Sequence, residues 1–268
     1  MKKLRLLAVA ALMVSVALPV TAQQKDPTVA ANPRPPYLIS LTEVLTIVFE
    51  ADESALKSLL PPGIKPAAGN VVGLNMYRAE QAVGLAPYTA TYLWVNVDGF
   101  DSPDGTKGRW MAQGWYGPEP VPTVLKNQMG FPVQLGVTRL ERDRNRVHAV
   151  LSSDGVDLLD ATITLKEGNP IAASGILNYP ALARNISTAA VQPATSDIVV
   201  NRIPFTAESM PATPVSMDLH FRSTDAAKAL QPKKLLDAFY TKGTAVAGFL
   251  DRSPPEMGSV GSSTAPAK

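Results

Sequence analysis

Short runs of alternating apolar and polar residues constrain the fold of this chain more than any other feature. In the clearest run, residues 215–222, polar residues alternate with Val215, Met217, Leu219 and Phe221. Two further runs, 146–152 and 156–165, flank the turn sequence Ser153–Asp154–Gly155 and predict a β-hairpin. A period of two residues is typical of a strand with one buried face. The pattern therefore predicts a β-rich domain.

Two helices are predicted among these strands. The first follows Asp52, whose side chain can cap it, and ends at Pro61–Pro62–Gly63. The second is predicted to begin at Pro232, to carry Phe239 on its apolar side and to end near Gly243. Further strands are predicted at residues 41–50, 91–97 and 109–116. Since no internal repeat and no change in composition divides residues 37–252, we expect a single domain there.

The two ends of the chain are predicted to lie outside this domain. Residues 1–22 resemble a signal peptide, because a basic start precedes the apolar run from Leu6 to Val20 and small residues lead to a cleavage site after Ala22. Residues 23–36 are predicted to be a flexible lead-in, and residues 253–268 a disordered tail. The interpretation is export to the periplasm or secretion, with no stable membrane anchor.

Charge and cysteine content exclude several kinds of function. Residues 1–22 carry three basic and no acidic side chains, so cleavage would change the formal charge from +2 to −1. The mature chain therefore has no excess of positive charge to indicate binding to nucleic acid. The absence of cysteine excludes disulfides, thiolate metal sites and thiol nucleophiles.

Three short segments carry a resemblance to a known family. They are the strand-to-helix segment 48–56, the sequence Leu60–Pro61–Pro62–Gly63–Ile64, and the sequence Phe131–Pro132–Val133–Gln134–Leu135–Gly136. With the Pro36–Tyr37 entry and the hairpin, they make residues 36–251 similar to the acetoacetate decarboxylase family. The resemblance implies an α+β, β-rich fold, in which a curved antiparallel sheet closes into a cone or barrel with flanking helices and an internal pocket. It also implies assembly into a homo-oligomer.

The resemblance implies a lysine that attacks a keto acid to form a Schiff base, and a second lysine beside it. Both positions differ here. They are Val133 and Gln134, and neither side chain can form an imine. The pocket arginine of the family aligns with Thr42. Its acidic residues align with Asn75 and Ala90, and the Arg-Glu pair before the lysine motif aligns with Lys126–Asn127. Glu43 alone keeps the acidic character found in the family at its place.

One hypothesis is an exported enzyme that acts on a small carbonyl or keto compound without the usual Schiff base. The reactions compatible with this hypothesis are lyase-like chemistry, hydration, dehydration, cyclisation and lactone chemistry. The predicted catalytic residues are Glu43 as acid or base, Lys126 for electrophilic assistance and Gln134 as hydrogen-bond donor to a carbonyl. No metal or other cofactor is expected.

The other hypothesis is a pseudoenzyme, a periplasmic protein that binds a small neutral or apolar ligand. The loss of charged pocket residues favours it, because an uncharged pocket is less costly to desolvate. The residues predicted to contact the ligand in either case are Thr42, Asn75, Ala90, Asn127, Phe131 and Val133. Convergence of Glu43 with Lys126 or His148 on one cavity would favour the enzyme.

Other chemistry-bearing residues have simpler interpretations. His148 and His220 are predicted to be solvated, although a barrel can place polar residues inside. Asp98, Asp101 and Asp104 lack the ligand spacing of an EF-hand. The aromatic residues Tyr92, Trp94, Trp110 and Trp115 are predicted in the core, or around an apolar ligand.

Overall fold

The computed structural model describes residues 34–182, 185–186 and 198–251. The predicted signal peptide, most of the predicted lead-in and the predicted tail lie outside these residues. Within the described ranges, the chain forms twelve strands, two α-helices and a 3-10 turn at Ala226–Ala229. No helix of that part of the chain is long and apolar enough to cross a bilayer.

The elements follow one another along the chain with mostly short connections. The strands are β1 (Tyr37–Glu50), β2 (Val71–Val83), β3 (Tyr88–Val97), β4 (Gly108–Gly117), β5 (Val133–Leu135), β6 (Val137–Asp143), β7 (Arg146–Ser153), β8 (Val156–Leu165), β9 (Ile171–Leu182), β10 (Ile198–Leu219), β11 (Lys234–Ala247) and β12 (Phe249–Asp251). The helices are α1 (Glu53–Leu59) and α2 (Val121–Met129).

All twelve strands belong to one curved sheet. Its order is β5-β4-β3-β2-β1-β11-β10-β8-β7-β6, and β9 and β12 also pair with β10. Every pairing is antiparallel except that of β4 with β5. The predicted β-rich fold with a curved antiparallel sheet is confirmed. The sheet is not closed, however, because the end strands β5 and β6 do not pair with each other.

The predicted hairpin and the first predicted helix are both present. β7 and β8 pair across the turn at Asp154 and Gly155, both of which have positive φ angles. α1 begins after Asp52, whose side chain accepts a hydrogen bond from the backbone N–H of Ser54 at 2.9 Å. These elements depend on contacts close in sequence, which is why local patterns predict them.

The second predicted helix is wrong, because residues 234–247 form the strand β11. This strand pairs with β1 on one side and with β10 on the other, so that Phe239 lies between Thr46 and Pro211. Hydrogen bonds on both edges outweigh the helical spacing of the apolar residues. The alternating run 215–222 is a strand only as far as Leu219, and a register shift after Pro214 leaves Val215 56% exposed.

In the central strand β1, residues 45–47 and 49 are buried, so both faces of this part of the strand lie inside the protein. Leu45, Ile47 and Phe49 project into a close-packed core that also contains side chains of β6, β7 and β8. The alternate residues of β1 project into a second space, which is bounded by β2, β3, β4, α2 and the β9–β10 hairpin. Since successive side chains of a strand point to opposite faces, one strand separates the two spaces.

A buried carboxylate joins the 3-10 turn to the end of the sheet. Asp225 accepts hydrogen bonds at Oδ1 from Gln113 Nε2 at 3.0 Å and Gln134 Nε2 at 3.2 Å. Its Oδ2 accepts from the backbone N–H of Arg222 at 2.8 Å. The side chain of Asp225 is only 3% exposed, so these donors have little access to water as a replacement partner.

We expect Asp225→Ala to lower the free energy of unfolding by about 2–4 kcal/mol, because it leaves buried amide donors without an acceptor. Urea denaturation would measure the change. Asp218→Ala, at an exposed position of β10, is the matched control and should change stability by less than about 0.5 kcal/mol. Equal effects of the two substitutions would contradict a structural role for the buried carboxylate.

Candidate functional site

A cavity of about 370 Å³ lies between β1, β2, β3, β4, α2, β11 and the β9–β10 hairpin. This volume falls in the range typical of small-molecule sites. The described lining is mainly apolar and aromatic, and its principal large side chains are Tyr77, Tyr88, Tyr92, Trp94, Met111, Tyr116, Phe131, Leu177, Tyr179, Phe205 and Phe239. Arg109 is the one charged residue of that described lining.

The strand period and one glycine give the wall its shape. Thr42, Val44, Thr46 and Val48 line the cavity from alternate positions of β1. On β2, Gly73 lies opposite Trp94 of β3. A Cβ atom at Gly73 would lie only 1.9 Å from Trp94 Cζ2, so only glycine leaves room for the indole in this position.

Asn75 is the centre of a buried hydrogen-bond network in this wall. Its Oδ1 accepts from Trp94 Nε1 at 3.3 Å and from Thr46 Oγ1 at 3.1 Å. Because an indole nitrogen can only donate, the amide oxygen must be the atom that faces Trp94. The Nδ2 of Asn75 then donates to the hydroxyl of Tyr92 at 2.7 Å.

This network leaves a hydroxyl proton available at its far end. Tyr92 accepts from Asn75, so its own proton can be donated to the hydroxyl of Tyr179, which lies 3.3 Å away on β9. In that arrangement Tyr179 accepts from Tyr92 and can donate its proton to an acceptor in the cavity. The site therefore offers neutral hydrogen-bond donors to a ligand oxygen.

Further tyrosines pack around this network and remain protonated at neutral pH. Tyr77 contacts the rings of Tyr88, Tyr92 and Tyr116 edge-on, with centroids 5.7, 6.0 and 6.3 Å away. Burial raises the pKa of Tyr88 to about 12 and raises the pKa values of the other three well above their usual range. These hydroxyls are donors rather than bases.

Arg109 stacks on the wall beside the network. Its Cζ lies 4.0 Å from the centroid of the Trp94 ring, a cation–π contact. The Nε atom of Arg109 is buried and has no hydrogen-bond acceptor among the residues that the structure describes. No group of three or more His, Cys, Asp or Glu residues able to hold a metal ion occurs in the described ranges.

The residues predicted to contact a ligand lie on or near the cavity. Thr42, Asn75 and Phe131 line it, although the hydroxyl of Thr42 donates to the carbonyl oxygen of Gly243 at 2.8 Å. Ala90 and Val133 are buried in the apolar cluster behind the same wall. Asn127 is half-buried on α2 and is not among the lining residues.

The three predicted catalytic residues do not come together. Lys126 is exposed on α2, and Gln134 donates to Asp225 outside the cavity. His148 pairs with Asp160 at 3.1 Å on a half-exposed surface of β7 and β8. The convergence on one cavity that would favour the enzyme hypothesis is therefore not observed for Glu43, Lys126 or His148.

Glu43 lies on the face of β1 opposite the cavity. Its carboxylate accepts from Arg78 Nε at 2.7 Å and forms an ion pair with Lys242 Nζ at 2.8 Å. Burial alone would raise the pKa of Glu43, but the hydrogen bonds and positive charges of Lys242 and Arg78 outweigh it and lower the pKa to about 2. A carboxylate held in this way is a weak base near neutral pH.

Arg109 and Tyr179 line the cavity but were not predicted from the sequence as site residues. Tyr92 and Trp94 were considered as core or ligand contacts, and they line it. Trp115 instead stacks on Phe221 in the main core at 5.4 Å. No local signal identifies Tyr179, because β9 reaches the cavity only through its pairing with β10 and its packing on β4.

The sequence is similar to known proteins over most of its length. Residues 17–252 match the family described as acetoacetate decarboxylase (ADC). A curated relative, an acetoacetate decarboxylase of Clostridium botulinum (strain Eklund 17B / Type B), is 24% identical over 139 residues. That match covers 52% of this chain and 55% of the relative, so it spans about half of the relative's length.

Solved structures share the fold at low sequence identity. The acetoacetate decarboxylase of Legionella pneumophila is 17% identical with a TM-score of 0.66, and the match covers 92% of this chain and 98% of that one. The enduracididine biosynthesis enzyme MppR, complexed with pyruvate, is 16% identical with a TM-score of 0.60. That match covers 91% of this chain and 99% of the other.

The ion pairs of Glu43 lead to a pH-dependent prediction. Because its pKa of about 2 lies below the ordinary value of 4.5, its contribution to stability is present above pH 4.5 and is lost as the pH falls towards 2. We expect the difference in free energy of unfolding between the wild type and Glu43→Gln to shrink by about 1–2 kcal/mol between pH 6 and pH 3, since the two cations are partly exposed.

Urea denaturation at several pH values would measure this difference. Glu80→Gln is the matched control, because Glu80 is 52% exposed and lies 3.5 Å from the same Arg78. It should give a smaller difference, because solvent screens an exposed ion pair. A difference for Glu43→Gln that stays constant over this pH range would contradict the lowered pKa.

Proposed function

Because the chain belongs to the acetoacetate decarboxylase family, we propose that it binds a small, largely apolar carbonyl compound in its cavity, without forming a lysine imine. The observation that carries this proposal is the hydrogen-bond network of Asn75, Tyr92 and Tyr179, which offers donors to a ligand oxygen. The large apolar side chains around it suit the rest of such a ligand.

The residues of the cavity support noncovalent binding. An imine needs an amine nucleophile, and no lysine is among the lining residues that the structure describes. Val133, which aligns with the Schiff-base lysine of the family, is 9% exposed and belongs to the apolar cluster behind the wall. Lys126, the lysine nearest in sequence, is exposed on α2 and is not among those lining residues.

A second candidate function is an enzyme that polarises a carbonyl group by hydrogen bonding alone. The observation that favours it is the available hydroxyl proton of Tyr179, since a donor aimed at a carbonyl oxygen stabilises charge that develops there. MppR, which has the same fold, is named as a biosynthetic enzyme, so the fold is compatible with chemistry. Exchange of a ketone's α-hydrogens in deuterium oxide, in which solvent takes the α-proton while the hydroxyl donates to the enolate oxygen, can be followed by NMR and distinguishes this enzyme from a binding protein.

The proposal also includes export. Lys2, Lys3 and Arg5, followed by an apolar run and the small residues before Gln23, support cleavage of a signal peptide. The exported protein would then bind its ligand in the periplasm or outside the cell. N-terminal sequencing of the protein recovered from a periplasmic fraction tests this, and an intact Met1 there would contradict it.

Mass spectrometry tests the absence of an imine. We expect the mass of the purified protein to stay unchanged after incubation with acetoacetate or pyruvate and borohydride, because no described lining residue carries an amine. A family member that has both lysines should gain the mass of the reduced adduct under the same conditions. A stoichiometric adduct on one lysine of this chain would contradict the proposal, whereas trace labelling of many lysines reflects their exposure.

Substitution of Asn75 tests the polar network. We expect Asn75→Leu to weaken binding of methyl ketones, such as acetophenone and 2-heptanone, by about tenfold or more, because the donor to Tyr92 and the acceptor for Trp94 are both removed. Fluorescence titration and calorimetry would measure the dissociation constants.

Thr91→Val is the matched control for this experiment. Thr91 is buried on the opposite face of β3, where its hydroxyl lies 2.7 Å from that of Thr138. Its substitution should lower stability without changing ketone affinity. Equal affinities of the wild type and Asn75→Leu would contradict the assignment of the network, and failure of ketones, esters and acids alike to bind would contradict the proposed function.

A further inference from the structure

Arg109 is the feature of the cavity that the proposed function does not use. It lies on β4, is half-buried, and stacks with its guanidinium 4.0 Å from the centre of the Trp94 ring. Stacking of this kind covers one face of the guanidinium but leaves its N–H groups free to donate in the plane. A cation placed in this way is oriented rather than mobile.

Among the described residues, Arg109 lacks an anionic partner of the kind that the partly buried Arg78 and Arg222 have. Arg78 forms its ion pair with Glu43, and Arg222 with Asp154, both at 2.5 Å. Within the described ranges, no carboxylate lies within ion-pair distance of Arg109, and its buried Nε has no acceptor. A buried donor without an acceptor is unfavourable, so a group that accepts from it would be bound with a gain in affinity.

The guanidinium and the neutral network share one wall. The Trp94 indole contacts Arg109 through its ring and Asn75 through its Nε1, 3.3 Å from Oδ1. A single ligand can therefore reach both the positive charge and the neutral donors. Because the described lining carries one positive and no negative side chain, a ligand with one negative charge would neutralise the cavity.

We infer that Arg109 binds the carboxylate of a small amphiphilic monocarboxylic acid, whose apolar part fills the remainder of the cavity. The planar fork of N–H groups matches the two oxygens of a carboxylate, which accounts for an arginine rather than a lysine at this place. This inference rests on the proposed function, since it specifies the class of carbonyl compound that the same cavity takes.

The experiment compares each acid with its neutral methyl ester. The probes are straight-chain and phenyl-substituted monocarboxylates of graded length, each beside its ester, titrated into the mature protein and followed by calorimetry and tryptophan fluorescence. We expect the best acid to bind the wild type about tenfold or more tightly than its ester. Arg109→Gln should remove this preference while the affinity for the ester changes little.

Two further variants separate charge from folding. Arg109→Lys keeps the charge but not the fork, and should recover only part of the preference for the acid. Arg142→Gln is the matched control, because Arg142 is an exposed arginine stacked 5.1 Å from the ring of Tyr240, away from the cavity lining. It should leave the preference unchanged, and thermal unfolding of each variant verifies that it is folded.

The possible outcomes distinguish this inference from the function on which it rests. If esters bind but acids bind no better, or if Arg109→Gln leaves the preference intact, the role of Arg109 is wrong and the cavity remains a site for neutral compounds. If neither acids, esters nor ketones bind, the proposed function itself is wrong, and this inference is overturned with it.

Discussion

The arrangement of this protein depends on the register of β1 between β2 and β11. Glu43 lies directly opposite Arg78 on one neighbour and Lys242 on the other, and it forms ion pairs with both. A shift of β1 by one residue would separate these charges and exchange its two faces. Leu45, Ile47 and Phe49 would then face the cavity, and the threonines that line it would face the core. The register therefore specifies which space is filled and which stays open.

The polar atoms in the wall formed by β1, β2 and β3 are largely paired with one another. Thr46 and Trp94 both donate hydrogen bonds to Asn75, and Asn75 donates to Tyr92. The wall therefore does not require a charged residue or a metal to hold its polar groups in place. The surrounding tyrosine rings pack edge-to-face against one another, which stabilises this arrangement of the wall. What remains for a ligand is a small set of donors in an apolar space, which is the usual composition of a specific small-molecule site.

The sequence predicted those parts of the fold that depend on local patterns. The cap at Asp52 and the hairpin at Ser153–Asp154–Gly155 are set by neighbouring residues, and both are present. β11 was predicted as a helix because its partners β1 and β10 are distant in sequence, and nothing within residues 234–247 identifies them.

The site was predictable only in part. Thr42, Asn75 and Phe131 line the cavity at the positions that the family resemblance indicated. Glu43 was also predicted as a site residue, but it lies on the same strand face as Leu45, Ile47 and Phe49. The alternation of side chains along a strand predicts this from the sequence. Arg109 and Tyr179 reach the cavity through the curvature of the sheet and the packing of β9 on β4, which no local pattern specifies.

Gly73 controls the shape of the cavity wall indirectly, through the position of Trp94. The indole of Trp94 occupies the space that a side chain at position 73 would need, and the same indole supports Arg109 and binds Asn75. Any larger residue at position 73 would displace the indole, and with it the positive charge and the amide. The ligand selectivity of such proteins could therefore diverge through a position that is not itself among the residues lining the cavity, while every group in contact with the ligand keeps its chemical identity.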